Sequence, residues 1–458
     1  MSVRMKSIHL FEFSDDYKMG LKDYSGLYKN GIPLKEFLEN KNYETDIKSG
    51  RTPSKFRGDY WDGDYDFITL SDVDADLYIL NQNIEEKITD TAIEECGNMV
   101  LVPKGSLLIS NAMTVGLAFI VDRDVYINQN VFWLKLDEAK VNKKYLLWYF
   151  NCVIKELFDN VFSSKYLSKK ELSRICIPEI DIKKQNEIVE YISKYEDEII
   201  ELKSSLKDES AIIDSVFGEK FKFDYDTFEK LKEKKTYVLK QSAFSNNQDM
   251  RFGVKYHRPA GYFVMQQLRK ISKLSIKHFL NEPIELGASI SSKDYNVYGE
   301  YAYISMATIK NWMFDLETAG VVDLSYSEKN ISKSVKKNDI IFARSGEGTI
   351  GKVALIEDDV KGIFADFTMR IRLDKYNHYF AYYYFRTSFF QYLIEVYKKG
   401  LGNNTNIFPV VIKEFPMPDI SMKEQDMIVC KIKKNIDEQL EIRKQINFVR
   451  NKIFKYIC

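Results

Sequence analysis

Apolar residues recur with alternating gaps of four and three along Ile188, Ile192, Tyr195, Ile199, Leu202, Leu206, Glu209, Ile213 and Val216. The same gaps return along Ile428, Ile432, Asn435, Gln439, Ile442, Ile446, Val449, Ile453 and Tyr456. This spacing predicts two long helices, each with the a/d seam of a coiled coil. Every position of the first series recurs at one fixed offset in the second, and the lead-ins agree as well. Ile177-Pro178 and Gln185 before the first helix answer Met417-Pro418 and Gln425 before the second. A shared heptad with Pro, Lys and Gln at the same offset is a duplication.

The duplication extends upstream. Alternating or continuous apolar runs predict strands at Tyr65–Val73, Leu101–Val102, Ser106–Ser110, Ala118–Val121 and Val131–Leu136, then a helix from Lys144 to about Phe158. Their counterparts are Tyr303–Ile309 for Phe67–Val73, Lys337–Arg344 for Lys104–Asn111, Gly351–Asp358 for Gly116–Asp122, and Tyr382–Phe385 for Leu147–Phe150. The loop Ser49–Asp64, rich in Gly, Pro, Ser and Asp, has only a faint partner near Ser289–Lys293. The frame is shared and the loops differ, which suits one scaffold presenting two recognition surfaces.

The fold class is therefore α+β: two tandem mixed domains, each followed by a long helix, with the helices packing as an antiparallel coiled coil. The expected boundaries are a first domain at 1–180, a helix at 181–217, a linker at 218–250, a second domain at 251–418 and a helix at 419–458. A seam that matches end to end would set Ile188 against Tyr456 and Val216 against Ile428. Glu209 would then face Asn435, two polar exceptions in register, and Gln439 would lie beside Leu206 without such a partner.

Composition narrows the function. The 458 residues carry 67 Lys and Arg against 67 Asp and Glu, so bulk cationic binding to nucleic acid is disfavoured and only a local basic face would serve. Five cysteines form no CxxC pair, which fits reduced thiols in a cytosol. No run suits a signal peptide or a membrane span, so a cytoplasmic protein without membrane partners is expected. Gly346-Glu-Gly348-Thr-Ile-Gly351 matches a dinucleotide fingerprint but precedes a strand-like run where a helix is required. There is no phosphate-binding G-x-x-x-x-G-K-[ST] loop, no Asn/Asp-Pro-Pro-aromatic segment, and the four histidines lack metal-ligand spacing. These features argue against an enzyme, and no metal or cofactor is expected on the chain.

Gly50-Arg-Thr-Pro-Ser54 with Tyr60-Trp-Asp-Gly-Asp-Tyr-Asp-Phe-Ile-Thr-Leu-Ser-Asp72 resembles the opening of a target-recognition domain in type I restriction–modification specificity subunits. Asp339-Ile-Ile-Phe-Ala-Arg344-Ser-Gly and Gly351-Lys-Val-Ala-Leu-Ile resemble that family's central strand–loop–strand, and both lead-ins to the heptad helices are similar. The resemblance runs from about Ile32 to the C-terminus. It implies a non-catalytic subunit in which each domain reads one half of a bipartite site on double-stranded DNA and the helices set the spacing. It further implies two methyltransferase subunits using S-adenosylmethionine, and ATP- and Mg-dependent restriction subunits. A related methyltransferase-based defence system, or a scaffold without DNA function, remains the alternative.

Arg suits bidentate contact with guanine and Asn with adenine, while Lys and Thr position phosphates. In the second half these chemistries single out Arg344, Ser345, Lys352, Lys398, Lys399, Asn403, Asn404 and Thr405. In the first they single out Arg51, Lys55, Arg57, Trp61, Asn111, Lys165 and Tyr166. Asn111-Ala-Met-Thr-Val departs from the family's usual Arg-x-Gly, which puts an Arg contact there in doubt.

Overall fold

Residues 31–160, 166–234, 236–245, 251, 253–346, 348–400 and 404–457 are described by a computed structural model. They fall into two units, one of the chain up to Leu206 together with the stretch from Glu441 onward, the other Lys207–Leu440.

In the first unit Ile47–Ser49, Val131–Leu134, Leu107–Ser110 and Ala118–Ile120 lie side by side in that order as an antiparallel sheet. In the second unit Glu285–Leu286, Thr368–Ile371, Ile340–Ala343 and Val353–Leu355 repeat the order and the directions. A second sheet repeats too, built on one parallel pair: Trp61–Ile68 with Val125–Ile127, and Tyr301–Ile304 with Gly362–Phe364. Leu107–Ser110 and Ile340–Ala343 are buried along their whole length. That is why they read as continuous apolar runs rather than as alternation.

The duplicated glutamines explain the duplicated lead-ins. Gln185 is fully buried; its Oε1 accepts the Asn142 amide at 2.9 Å and its Nε2 donates to the Ile180 carbonyl at 2.8 Å. Gln425 does the same with the Asn377 amide and the Ile420 carbonyl, both at 2.9 Å. Asn142 and Asn377 are themselves the N-caps of Lys143–Tyr149 and His378–Arg386. One side chain thus ties the foot of each heptad helix to the cap of the domain helix before it. In the first unit Trp148 reinforces this tie, donating from Nε1 to Glu196 at 2.8 Å.

The heptad helices pack antiparallel in both units. In the first, Ile192, Ile199, Ile446, Val449 and Ile453 are buried, and Tyr191 stacks on Tyr456 at 4.2 Å while Lys452 lies over Tyr195. In the second, Ile213, Val216, Ile428 and Ile432 are buried, and Lys220 pairs with Glu424 at 2.7 Å.

Three expectations change. The first heptad helix is not continuous over 181–217: it runs Ile182–Ser204, breaks, and resumes as Glu209–Phe221, whereas Met422–Ile457 is one helix. Paired serines and an Asp next to the break offer the backbone local alternatives to a helix. Second, Glu209 does not pair with Asn435. Its carboxylate takes the buried Arg386 guanidinium at 2.8–2.9 Å. Gln439, expected to lack a partner, accepts the Lys207 amide at 2.8 Å and so satisfies a donor that the break exposes. Third, the expected linker from Gly218 begins as structure: Glu209–Phe221 continues into it, Tyr225–Glu233 is helical, and Phe223 and Phe228 are buried in the second unit's core. Aromatic residues among the Lys and Asp supply the apolar area that fixes it.

Candidate nucleic-acid interface

In the second unit the strand Ile340–Ala343 delivers Arg344 to one end of its sheet. The Arg344 amide donates to the Phe367 carbonyl at 3.0 Å, and its carbonyl accepts from the Ile407 amide at 2.9 Å. Its guanidinium is held by two contacts: Nε to the Asp366 carbonyl at 2.8 Å and Nη1 to Asn406 Oδ1 at 3.1 Å. Asn406 bridges both Ser345 and Lys399, so Arg344, Ser345, Lys398, Lys399, Asn404 and Thr405 converge in one loop cluster. Gly400, at φ +106° with the Asn404 carbonyl where a Cβ would stand, allows this close approach. Asn403 lies outside the described residues.

Within that cluster the roles differ. Ser345 and Thr405 are buried, with the Ser345 hydroxyl on the Thr405 carbonyl at 3.2 Å. They shape the loop and present no side chain to a groove. Lys398 is mostly buried and paired with Glu395. Lys399 and Asn404 are exposed, and Lys352 is half-buried. Phe367 and Phe408 stand exposed on either side of Arg344, whose guanidinium lies 5.9 Å from the Phe408 ring.

The first unit repeats the frame with other side chains. Asn111 occupies the place of Arg344: its amide donates to the Asn130 carbonyl at 3.0 Å and its carbonyl accepts from Leu167 at 2.9 Å. Its side chain also donates to the matching carbonyl, that of Gln129, at 3.2 Å. Asn111 is buried, however, so it positions the loop and offers no amide to a base. Tyr166 is exposed and bridges Ala112 as Asn406 bridges Ser345; Lys165 lies outside the described residues.

At the start of the Trp61–Ile68 strand, Trp61 packs edge-on to Phe67 at 5.6 Å and donates from Nε1 to the Ser54 carbonyl of the preceding loop at 3.0 Å. Lys55 sits 3.6 Å over the Trp61 ring and pairs with Glu86. Arg57 is forked onto Asp59 and reaches Glu95, and the Asp59 carboxylate drives its guanidinium further above the ordinary value. Trp61 is therefore a packing residue, and Lys55 and Arg57 are already neutralised. Arg51 is exposed, and neither it nor Lys352 is ion-paired among the described residues.

Sequence reasoning passes over Thr52, Gln129, Ser289, Asp366, Phe367 and Asn406. Thr52 Oγ1 donates to Gln129 Oε1 at 2.9 Å, and Ser289 Oγ donates to Asp366 Oδ2 at 2.8 Å. Gln129-Asn130 and Asp366-Phe367 both occupy the short turn before an inner strand, a polar signal the duplication could have revealed.

No His, Cys, Asp or Glu group among the described residues could hold a metal, and no described helix is long and apolar enough to cross a membrane. The fold and its loop clusters define a class: a duplicated α+β scaffold that carries two differently furnished polar faces on one repeated frame. The match of a family model narrows the class. The chain belongs to the type I restriction modification DNA specificity domain family, matched over residues 45–209 and again over 283–449.

A curated relative, the specificity subunit of the type I restriction enzyme MjaIX from Methanocaldococcus jannaschii, is 25% identical over 308 residues. The alignment covers 66% of this chain and spans 64% of that relative's length. Among solved structures, one from a study of assembly and conformational transition in a type I restriction–modification system matches 93% of this chain and 95% of its own. Its identity is 10% and its TM-score 0.47. The S subunit from M. genitalium covers 93% and 95% at 12% identity, with a TM-score of 0.36.

Proposed function

We propose that this chain is the DNA specificity subunit of a type I restriction–modification complex, with no reaction of its own. The observation that carries the reading is the repeated loop cluster: equivalent backbone bonds at Asn111 and Arg344 hold different side chains. One scaffold with two chemistries is what reading an asymmetric, bipartite site requires. In the second unit, Arg344 is pre-set by the Asp366 carbonyl and Asn406. Its remaining N–H donors can approach guanine, while Lys352, Lys399 and Asn404 hold the backbone. In the first unit, Arg51 and Tyr166 are exposed, while the equally exposed Lys55 and Arg57 are held by Glu86, Asp59 and Glu95.

The partners of this reading are double-stranded DNA, two methyltransferase subunits that carry S-adenosylmethionine, and restriction subunits that carry ATP and Mg. The complex works in the cytoplasm. A domain exchange tests it. Replacing residues 1–180 with the same stretch of a relative, in a cell with the active methyltransferase, is expected to change one half of the methylated motif and leave the other. A change in both halves, or in neither, contradicts the reading.

A further inference from the structure

The hydroxyl–acyl pairs Thr52–Gln129 and Ser289–Asp366 occupy equivalent places in the two halves. Gly50 and Gly287, two residues before Thr52 and Ser289, each press against backbone of the adjoining strand. A Cβ at either glycine would stand 1.8 Å from the Ile127 carbonyl oxygen or 2.0 Å from that of Phe364, so neither position has room for a side chain. Gln129 and Asp366 each follow that strand by two residues. The pairs differ in what they leave facing outward.

Gln129 Oε1 accepts both the Thr52 amide at 3.1 Å and the Thr52 hydroxyl at 2.9 Å. A backbone N–H can only donate, so the amide orientation is set: oxygen inward, Nε2 with its two hydrogens outward on an exposed side chain. Asp366 takes the Ser289 hydroxyl on Oδ2. Its Oδ1 remains an acceptor, beside the exposed Phe367 and on the wall of an open cleft of about 310 Å³ shared with Ser289, Tyr303 and Met306.

Resting on the DNA-reading function above, we propose that Gln129 and Asp366 are specificity-determining residues at corresponding positions of the two half-sites. Gln129 reads a base-edge acceptor, the O6 of guanine or O4 of thymine. Asp366 reads an amino group, the N4 of cytosine or N6 of adenine. The major groove presents these as opposite patterns, so one frame discriminates opposite base classes by a single side-chain change.

The test is long-read methylome sequencing of cells carrying the whole complex with single substitutions in this chain. Gln129→Glu keeps the oxygen that Thr52 holds and turns the outward group into an acceptor. One position of the first half-site should switch from guanine or thymine to cytosine or adenine. Asp366→Asn should relax one position of the second half-site instead, because the Ser289 hydroxyl can donate or accept and lets the amide face either way. Preference at the affected position should fall roughly five- to a hundredfold. Gln129→Ala and Asp366→Ala, which remove the contact and add none, should relax the same single positions.

In every variant the untouched half-site reports that the subunit is folded. A motif unchanged in the alanine variants, or altered in both halves at once, overturns the proposal while the parent's split motif still supports the function. A parent with no split motif overturns both.

Discussion

Gln185 and Gln425 show how much one side chain can position. Each is buried, and each bonds an N-cap amide on one side and a carbonyl of its own helix lead-in on the other. Gln185→Leu or Gln425→Leu should destabilise its own unit by about 2–3 kcal/mol, because both backbone groups lose their partner in a dry site. Denaturant unfolding monitored within each unit would read this loss.

Glu424 gives a pH signature. The Lys220 ammonium, then the Ser421 hydroxyl and amide, hold its carboxyl down at about 2. A depressed carboxyl contributes stability that is present above its ordinary value and is lost as pH falls from there toward 2. Glu424→Gln should therefore lower stability at neutral pH, leave it nearly unaffected near pH 2, and so flatten the acid limb of the stability profile, as thermal melts across that range would show. The glutamines are visible in the sequence by their repetition. The Thr52–Gln129 and Ser289–Asp366 pairs are not, since each joins residues 77 positions apart and only the folded sheet brings them together.

Among the elements, strands, domain helices and both seams are legible because burial writes itself as apolar periodicity. The break at Ser205–Asp208 is not, since the seam continues through it in sequence while the backbone does not. A heptad pattern reports which face is buried and says nothing of whether every turn closes. The polar seam residues escape the pattern for a related reason: their partners lie off the seam. Arg386 comes from a domain helix to meet Glu209, and Gln439 serves a backbone amide. Glu209→Ala should cost about 2 kcal/mol by leaving the buried Arg386 charge without its carboxylate. Asn435→Ala should change stability by no more than about 0.5 kcal/mol. Equal effects of the two in urea unfolding would restore the pairing expected from sequence.

At the scale of the whole molecule, a chain with no net charge must place its cations locally to meet phosphates. Most Lys and Arg near the first unit's loop are neutralised by Glu86, Asp59 and Glu95. In the assembled complex, Lys352→Ala should therefore lower the slope of log affinity against log salt by about one, and Arg57→Ala should leave it almost unchanged. Fluorescence anisotropy on a DNA duplex, titrated with salt, would measure both slopes. The measurement that bears most directly on the account is the adenine methylome of the native cell with and without this gene. Loss of methylation at one split motif, restored on complementation, is the predicted result. An unchanged methylome, in a cell whose methyltransferase is active, would contradict it.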